Sequence, residues 1–354
     1  MFNFNEKIRK IKLPFFSIVE ICFDLGTSNT KIAVKDKGIV LREPTYLGYD
    51  SKVKDYIFFG KEAKDIVGKT PDFIKINRPI VNGVISDFDA EIVLLKHFIK
   101  IAVNPYLKNF HLIRPHLIAV TAVPVIASEI EVKAIEEVFL KLGFAEVFII
   151  EKPITVAMGN KINVFANLPY LIIDLGGGLI ELSIVSSGGI VVKKTLKNAG
   201  DVMNKTIANY IYLKYGVILG DRTCEDLKIN LLNFKNEDRV ANVRGKSLEN
   251  GLPKSLKIKS GDIKEALTNS FNQIIDAAKE LIEVSPPEVI DEIFNYGIIL
   301  SGGLAKIKGL DNYFAKELKL DVSVLNNPED TTINGLFNIC KNPEHLVKLS
   351  LPKI

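Results

Sequence analysis

Residues 21–34, ICFDLGTSNTKIAV, and residues 171–185, LIIDLGGGLIELSIV, follow one plan: an apolar strand, Asp-Leu-Gly, a turn of small residues and a second strand. The repeat implies two similar halves that face each other. Such a turn leaves backbone N–H groups free to hold phosphate oxygens, and an Asp at the strand end can hold a magnesium ion through water. Two turns of this kind can grip one nucleotide from both sides. A single Asp-Gly beside a Val/Ile run reads first as a hairpin. The pair, with Asp24 and Asp174 in matching contexts 150 positions apart, carries more weight than either alone.

The chain's 354 residues are enough for two domains, each with its own core. With 47% hydrophobic and 25% charged residues it reads as a folded protein. No apolar run reaches the roughly 20 residues of a membrane span, because even the stretch from Phe15 to Phe23 contains Glu20. The start, MFNFNEKIRKIKLPFF, lacks a small-residue cleavage site, so a cytoplasmic location is expected over secretion. Cys22, Cys224 and Cys340 are odd in number and lack CxxC spacing, and the four histidines show no HxxxH or HExxH pattern. The cysteines read as packing residues, and any catalysis must rest on carboxylates. A net charge of +4 without an aromatic-interleaved basic stripe indicates no nucleic-acid partner.

Along the chain, strand and helix alternate as in a covered sheet. The spacing predicts a helix over residues 90–103, a buried strand over 116–125, a helix opened by Ser128 with Glu131 three residues on, and a strand over 145–150. Gly48 to Asp55 reads as a polar stretch, and a surface loop is expected from Pro105 onward. In the second half, strands over 171–185 and 189–195 precede a helix from Asp201 to Tyr215 that continues into a mainly helical region. Short strands over 240–260 follow, then a long helix to Val284, a strand entering the Gly302-Gly303 turn, a helix over 331–340 and a loosely patterned tail.

With these segments placed, the chain resembles the actin, sugar-kinase and heat-shock-chaperone ATPase superfamily, and within it the MreB family of bacterial actin homologues. Besides DLGTSNT and DLGGG, the resemblance is carried by GIVLREP (38–44), RPIVNGVISDFDA (78–90), IEKPITVAMG (150–159), AGDVMN (199–204), KYGVILGDRTCEDLK (214–228), VRGKSLENGLPK (243–254) and ILSGGLAKIKGL (299–310). It implies an α/β actin-like fold: two related domains, each a mixed sheet flanked by helices, with a nucleotide cleft between them and a small insertion on each half. Domain I would comprise residues 17–36, 71–164 and 332–354 with an insertion at 37–70. Domain II would comprise 165–200 and 261–331 with an insertion at 201–260.

The resemblance also assigns roles. Gly26, Thr27, Ser28 and Asn29 would hold the phosphates of ATP or ADP from one side and Gly176, Gly177 and Gly178 from the other, with Gly200 and Asp201 beside them. Asp24 and Asp174 would orient the shell of Mg2+. Gly302 and Gly303 would leave room for the adenosine, which Glu225 and Lys228 would cover; those two residues read otherwise as a solvated i,i+3 pair. Glu151 would orient the attacking water, its alternative being a surface ion pair. The departure that matters most is at Leu179 and Ile180, which follow the glycine run where MreB proteins usually carry two threonines; a smaller one is Lys152, which replaces an acid common beside the catalytic Glu. Slow hydrolysis is the expectation.

In residues 1–16, Phe2, Phe4, Ile8 and Ile11 lie among Lys7, Arg9, Lys10 and Lys12, a basic amphipathic pattern that suits an anionic membrane surface. The bland alternative is a short element packed on the body. The resemblance further implies self-association into filaments on the inner face of the membrane, in cell-shape maintenance. The alternatives are a paralogue for motility or scaffolding, copolymerising with other MreB-like proteins, and a small-molecule kinase, which would need an acceptor pocket with a catalytic Asp.

Overall fold

The computed structural model describes residues 18–107, 115–235 and 237–353. The membrane-facing residues expected at Phe2, Phe4, Ile8 and Ile11 lie outside the described residues.

Each Asp-Leu-Gly turn joins two strands rich in Val and Ile, the β-branched residues that suit a pleated, buried surface. Strand Ile18–Leu25 pairs antiparallel with Asn29–Val34, which pairs antiparallel with Gly38–Pro44. On its other side Ile18–Leu25 runs parallel to His116–Val123, and that strand parallel to Glu146–Glu151. The second half repeats this order: Tyr170–Leu175 is antiparallel to Ile180–Ser186 and through it to Gly189–Leu196, and parallel to Ile298–Ser301 and beyond it to Val322–Val324. Two five-stranded sheets of one topology result. The duplication expected from the two turns is therefore a duplication of whole sheets.

Alternation along the strands sorts side chains between two layers. In the first half Ile21, Phe23 and Leu25 face an outer core with Leu94, Phe98 and Phe139, while Cys22, Val120 and Ile150 face an inner one. That inner layer lies between the two sheets. It contains Ile172 and Val185 from the second half, and Ile154, Val156, Ile333 and Leu336 from the helices Lys152–Gly159 and Thr331–Cys340. These helices meet backbone to backbone: a Cβ on Gly335 or Gly159 would strike the carbonyl oxygen of Thr155 or Thr331. The same layer brings Cys22 and Cys340, 318 residues apart, to 3.3 Å between their Sγ atoms, both as buried free thiols.

Local signals act as expected where they are strong. The helix Phe88–Ala102 starts at Asp87, whose side chain accepts from the Ala90 N–H at 3.0 Å, and Ser128 and Glu131 form a reciprocal capping box. Other expectations need correcting. Gly48 to Asp55 holds most of strand Leu47–Asp50 and a turn into Asp55–Phe59, because Gly48 lies directly under Phe58 and Ile76, where a side chain would not fit. Those strands and Ile74–Asn77 form a small sheet, whereas Gly38–Pro44 belongs to the main one. After Pro105 there is a short helix, Asn104–Leu107, in place of an immediate loop. The helix Gly200–Tyr215 does not run on: Gly216 takes a left-handed conformation (φ +64°), a strand Val217–Ile218 follows, and a new helix spans Asp221–Leu231. The tail contains a helix, Pro343–Leu349, capped by Asn342.

Candidate functional site

Both Asp-Leu-Gly turns close in the same way, with Gly26 N–H donating to Asn29 O at 3.2 Å and Gly176 N–H to Leu179 O at 3.0 Å. A Cβ at either first glycine would sit 2.6 Å from that acceptor oxygen. The turns also abut: a Cβ on Gly177 would collide with Ser28 Oγ, and one on Gly178 with Thr27 Oγ1. Between the turns opens a cavity of about 520 Å³, within the range of small-molecule sites. Gly26, Thr27, Ser28, Asn29, Gly176, Gly177, Gly178, Gly200, Asp201, Glu225, Lys228, Gly302 and Gly303, with Asp24 and Asp174, all line it. Thr27 is held by the Gly83 N–H, which donates to its Oγ1 at 2.9 Å.

Gly302 adopts φ +84°, and a Cβ there would collide with Leu175 O and Asp174, so the turn requires glycine. Gly303 faces open space, which a side chain would fill from the cleft. Leu304, Ile307 and Ile229 make that end apolar. Glu225 does not pair with Lys228. Its carboxylate lies 2.9 Å from Lys64 in the other half, and Arg78 bonds Asp201 at 2.7 Å, so two ion pairs span the halves beside the cavity. Lys228 is buried and donates to Gly200 O at 2.6 Å; burial pushes its ammonium down to about 8, against the pull of Glu225 and Asp201.

Glu151 does not line the cleft. Strand alternation places Ile149 in the outer layer and Ile150 in the inner one, so the next residue on the inner side is Lys152. Glu151 lies 3.9 Å from Lys193, close to the surface-pair alternative, while the Lys152 ammonium reaches across to Asp174 at 2.6 Å. Leu179 also lines the cavity, 5% exposed, where a hydroxyl was expected in this family.

The hairpin registers explain the remaining charges. Asp24 stands directly opposite Lys31, and Asp174 directly opposite Glu181. Equivalent positions thus carry a cation in one half and an anion in the other. Lys31 bonds Asp24 at 3.2 Å, donates to Glu329 O and lies 3.7 Å from Asp330. Glu181 accepts from the Val125 N–H at 3.0 Å and has its second oxygen 3.8 Å from Lys152. Burial, with Asp174 beside it, raises the Glu181 carboxyl against the opposing pull of Lys152. The three surrounding carboxylates hold the Lys152 ammonium above the usual lysine range despite its burial. Lys31 and Glu181 are absent from the residues expected at the site, although reflecting each Asp across its turn locates both.

Two sheets of one topology, enclosing a cleft walled by facing glycine turns, define the actin-like class of two-lobed proteins. A family model described as MreB/Mbl protein matches residues 18–348, and the chain belongs to that family. It is 36% identical over 335 residues to the cell shape-determining protein Mbl of Bacillus subtilis (strain 168), covering 94% of this chain and 98% of that protein. The structure of MreB5 of Spiroplasma citri bound to AMPPNP is similar with a TM-score of 0.87 and 33% identity, over 93% of this chain and 98% of that one. The ADP-bound MreB5 structure gives 0.86 and 34%, over 91% and 96%.

Proposed function

We propose that this chain binds ATP or ADP in the cleft and assembles head to tail into filaments that support cell shape, hydrolysing ATP slowly. The observation carrying this reading is the abutment of the two glycine turns around one cavity. Backbone N–H groups from both lobes then hold the phosphates, and ligand binding fixes the angle between lobes. A head-to-tail contact whose rotation does not close gives an open polymer. The nucleotide-bound MreB5 structures support the ligand class, and the name of Mbl supports the cellular role. Residues 1–16 are proposed to lay the filament on an anionic membrane surface. Slow hydrolysis follows from Lys152 and Leu179, which place an ammonium and a hydrocarbon at the positions from which water would be oriented.

Electron microscopy of the purified protein, with and without ATP and anionic vesicles, tests this reading. Filaments with ATP that gather on the vesicles are expected; a protein that stays monomeric in ATP overturns it. The cleft also makes a pH prediction. Lys228 attracts a nucleotide anion only when protonated, and its ammonium titrates at about 8. Nucleotide affinity should be flat below that pH and weaken above it. Lys228→Met should bind roughly 10-fold more weakly, as expected for a lost charged contact of about 1.4 kcal/mol, and lose the pH dependence. Equilibrium binding between pH 6.5 and 9.5 measures both.

A further inference from the structure

Asp174 and Glu181 are like charges directly opposite each other on neighbouring strands, both buried at the floor of the cleft. Such a pair needs a cation. A divalent ion held through water is one answer, and it is the one expected from the sequence at Asp24 and Asp174. The structure supplies another: the Lys152 ammonium stands 2.6 Å from Asp174 and 3.8 Å from Glu181, brought there from the opposite lobe by the first residue of an inner-layer helix. Asp24 is already paired with Lys31 at 3.2 Å. A dication approaching either Asp would meet a fixed positive charge beside it. The residues present therefore do not fit a magnesium shell.

From this disagreement we propose that the cleft takes its nucleotide without a divalent cation, the Lys152 ammonium providing the positive charge that bridges carboxylate and phosphate. An ammonium has three donors. Asp174 takes one at hydrogen-bonding distance, Glu181 is held more loosely, and Lys152 lines the cavity, so donor capacity faces the phosphates. Lys31 is more fully engaged, by Asp24 and the Glu329 carbonyl, and acts mainly to neutralise Asp24. The arrangement also couples the lobes: the cation belongs to one lobe and its carboxylates to the other.

The inference rests on the nucleotide reading and is tested by equilibrium binding of ATP to the purified full chain, in excess Mg2+ and in excess EDTA. Affinities within about 3-fold of each other are expected. A loss of 10-fold or more in EDTA by the native chain overturns the inference while leaving the nucleotide reading intact. No binding in either condition overturns the nucleotide reading and this inference with it. Lys152→Met should convert the native behaviour into a requirement for Mg2+, with at least a 10-fold loss in EDTA. A folded Lys152→Met protein that binds equally in both conditions contradicts the role given to Lys152, and the comparison on the native chain stands whether or not that variant folds.

Discussion

Lys152→Glu combined with Leu179→Thr is expected to raise phosphate release from ATP by the purified protein, in Mg2+, by about 100-fold or more over the native chain. Phosphoryl transfer to water depends on positioning and charge stabilisation, with little covalent work for the protein. One well-aligned group commonly contributes roughly 10- to 1,000-fold. Position 152 is the first on the inner side beyond strand Glu146–Glu151, so its side chain enters the cleft where that of Glu151 does not. A carboxylate there can accept from water; an ammonium cannot. Leu179 lines the same cavity, beside Gly83, and Thr is small enough to fit its space without overpacking. Removing the ammonium also leaves Asp174 and Glu181 in need of a cation, so the gain should require magnesium. Each single substitution is expected to give a smaller rise, because an oriented water needs both partners. A double variant that folds, binds ATP and releases phosphate at the native rate would show that these two side chains do not limit hydrolysis.

The second large effect concerns stability, far from the cleft. Glu91 lies in the first turn of the helix Phe88–Ala102, wholly buried, and neither carboxylate oxygen has a hydrogen-bond partner among the described residues. Burial pushes its carboxyl up to about 8. A folded-state value above the unfolded one means that the folded protein binds the extra proton. The favourable contribution is complete below about pH 4.5 and is lost as pH rises through about 8. Glu91→Gln cannot ionise and keeps the shape. Relative to the native chain, its unfolding free energy should rise by about 3 kcal/mol between pH 4.5 and 7, from roughly 1.4 kcal/mol per pH unit over that window. Denaturant titrations at several pH values measure the difference. A constant difference across the window would mean that Glu91 is charged or solvated in the folded state.

The two Asp-Leu-Gly phrases made the fold readable because each is a whole strand-turn-strand unit, with β-branched residues on both sides and a turn that only small residues can form. The glycines that line the cavity were readable for a related reason: the two turns pack closely there, and few residue types allow it. Which of two adjacent residues enters the cleft was not. Glu151 and Lys152 are neighbours, and only the partition of Ile149 and Ile150 between outer and inner layers decides that Lys152 does. The ion pairs across the lobes, Lys64 with Glu225 and Arg78 with Asp201, join segments more than a hundred residues apart and leave no local trace. Sequence spacing likewise gave no reason to place Cys22 beside Cys340, which become neighbours because the helix Thr331–Cys340 returns to the first sheet. The end of the helix at Gly216 was a weaker omission, since glycine after a helical run is a common stop.

Electron microscopy of the protein incubated with AMPPNP, carried to a resolution at which bound ligand is visible, tests whether a nucleotide held between the two glycine turns supports a polymer of this chain. Filaments are expected with nucleotide density between the turns at Gly26 and Gly176 and the Lys152 ammonium, without a metal ion, bridging Asp174 to the phosphates. Filaments with that cleft empty, or a saturated nucleotide complex that remains monomeric, would contradict it.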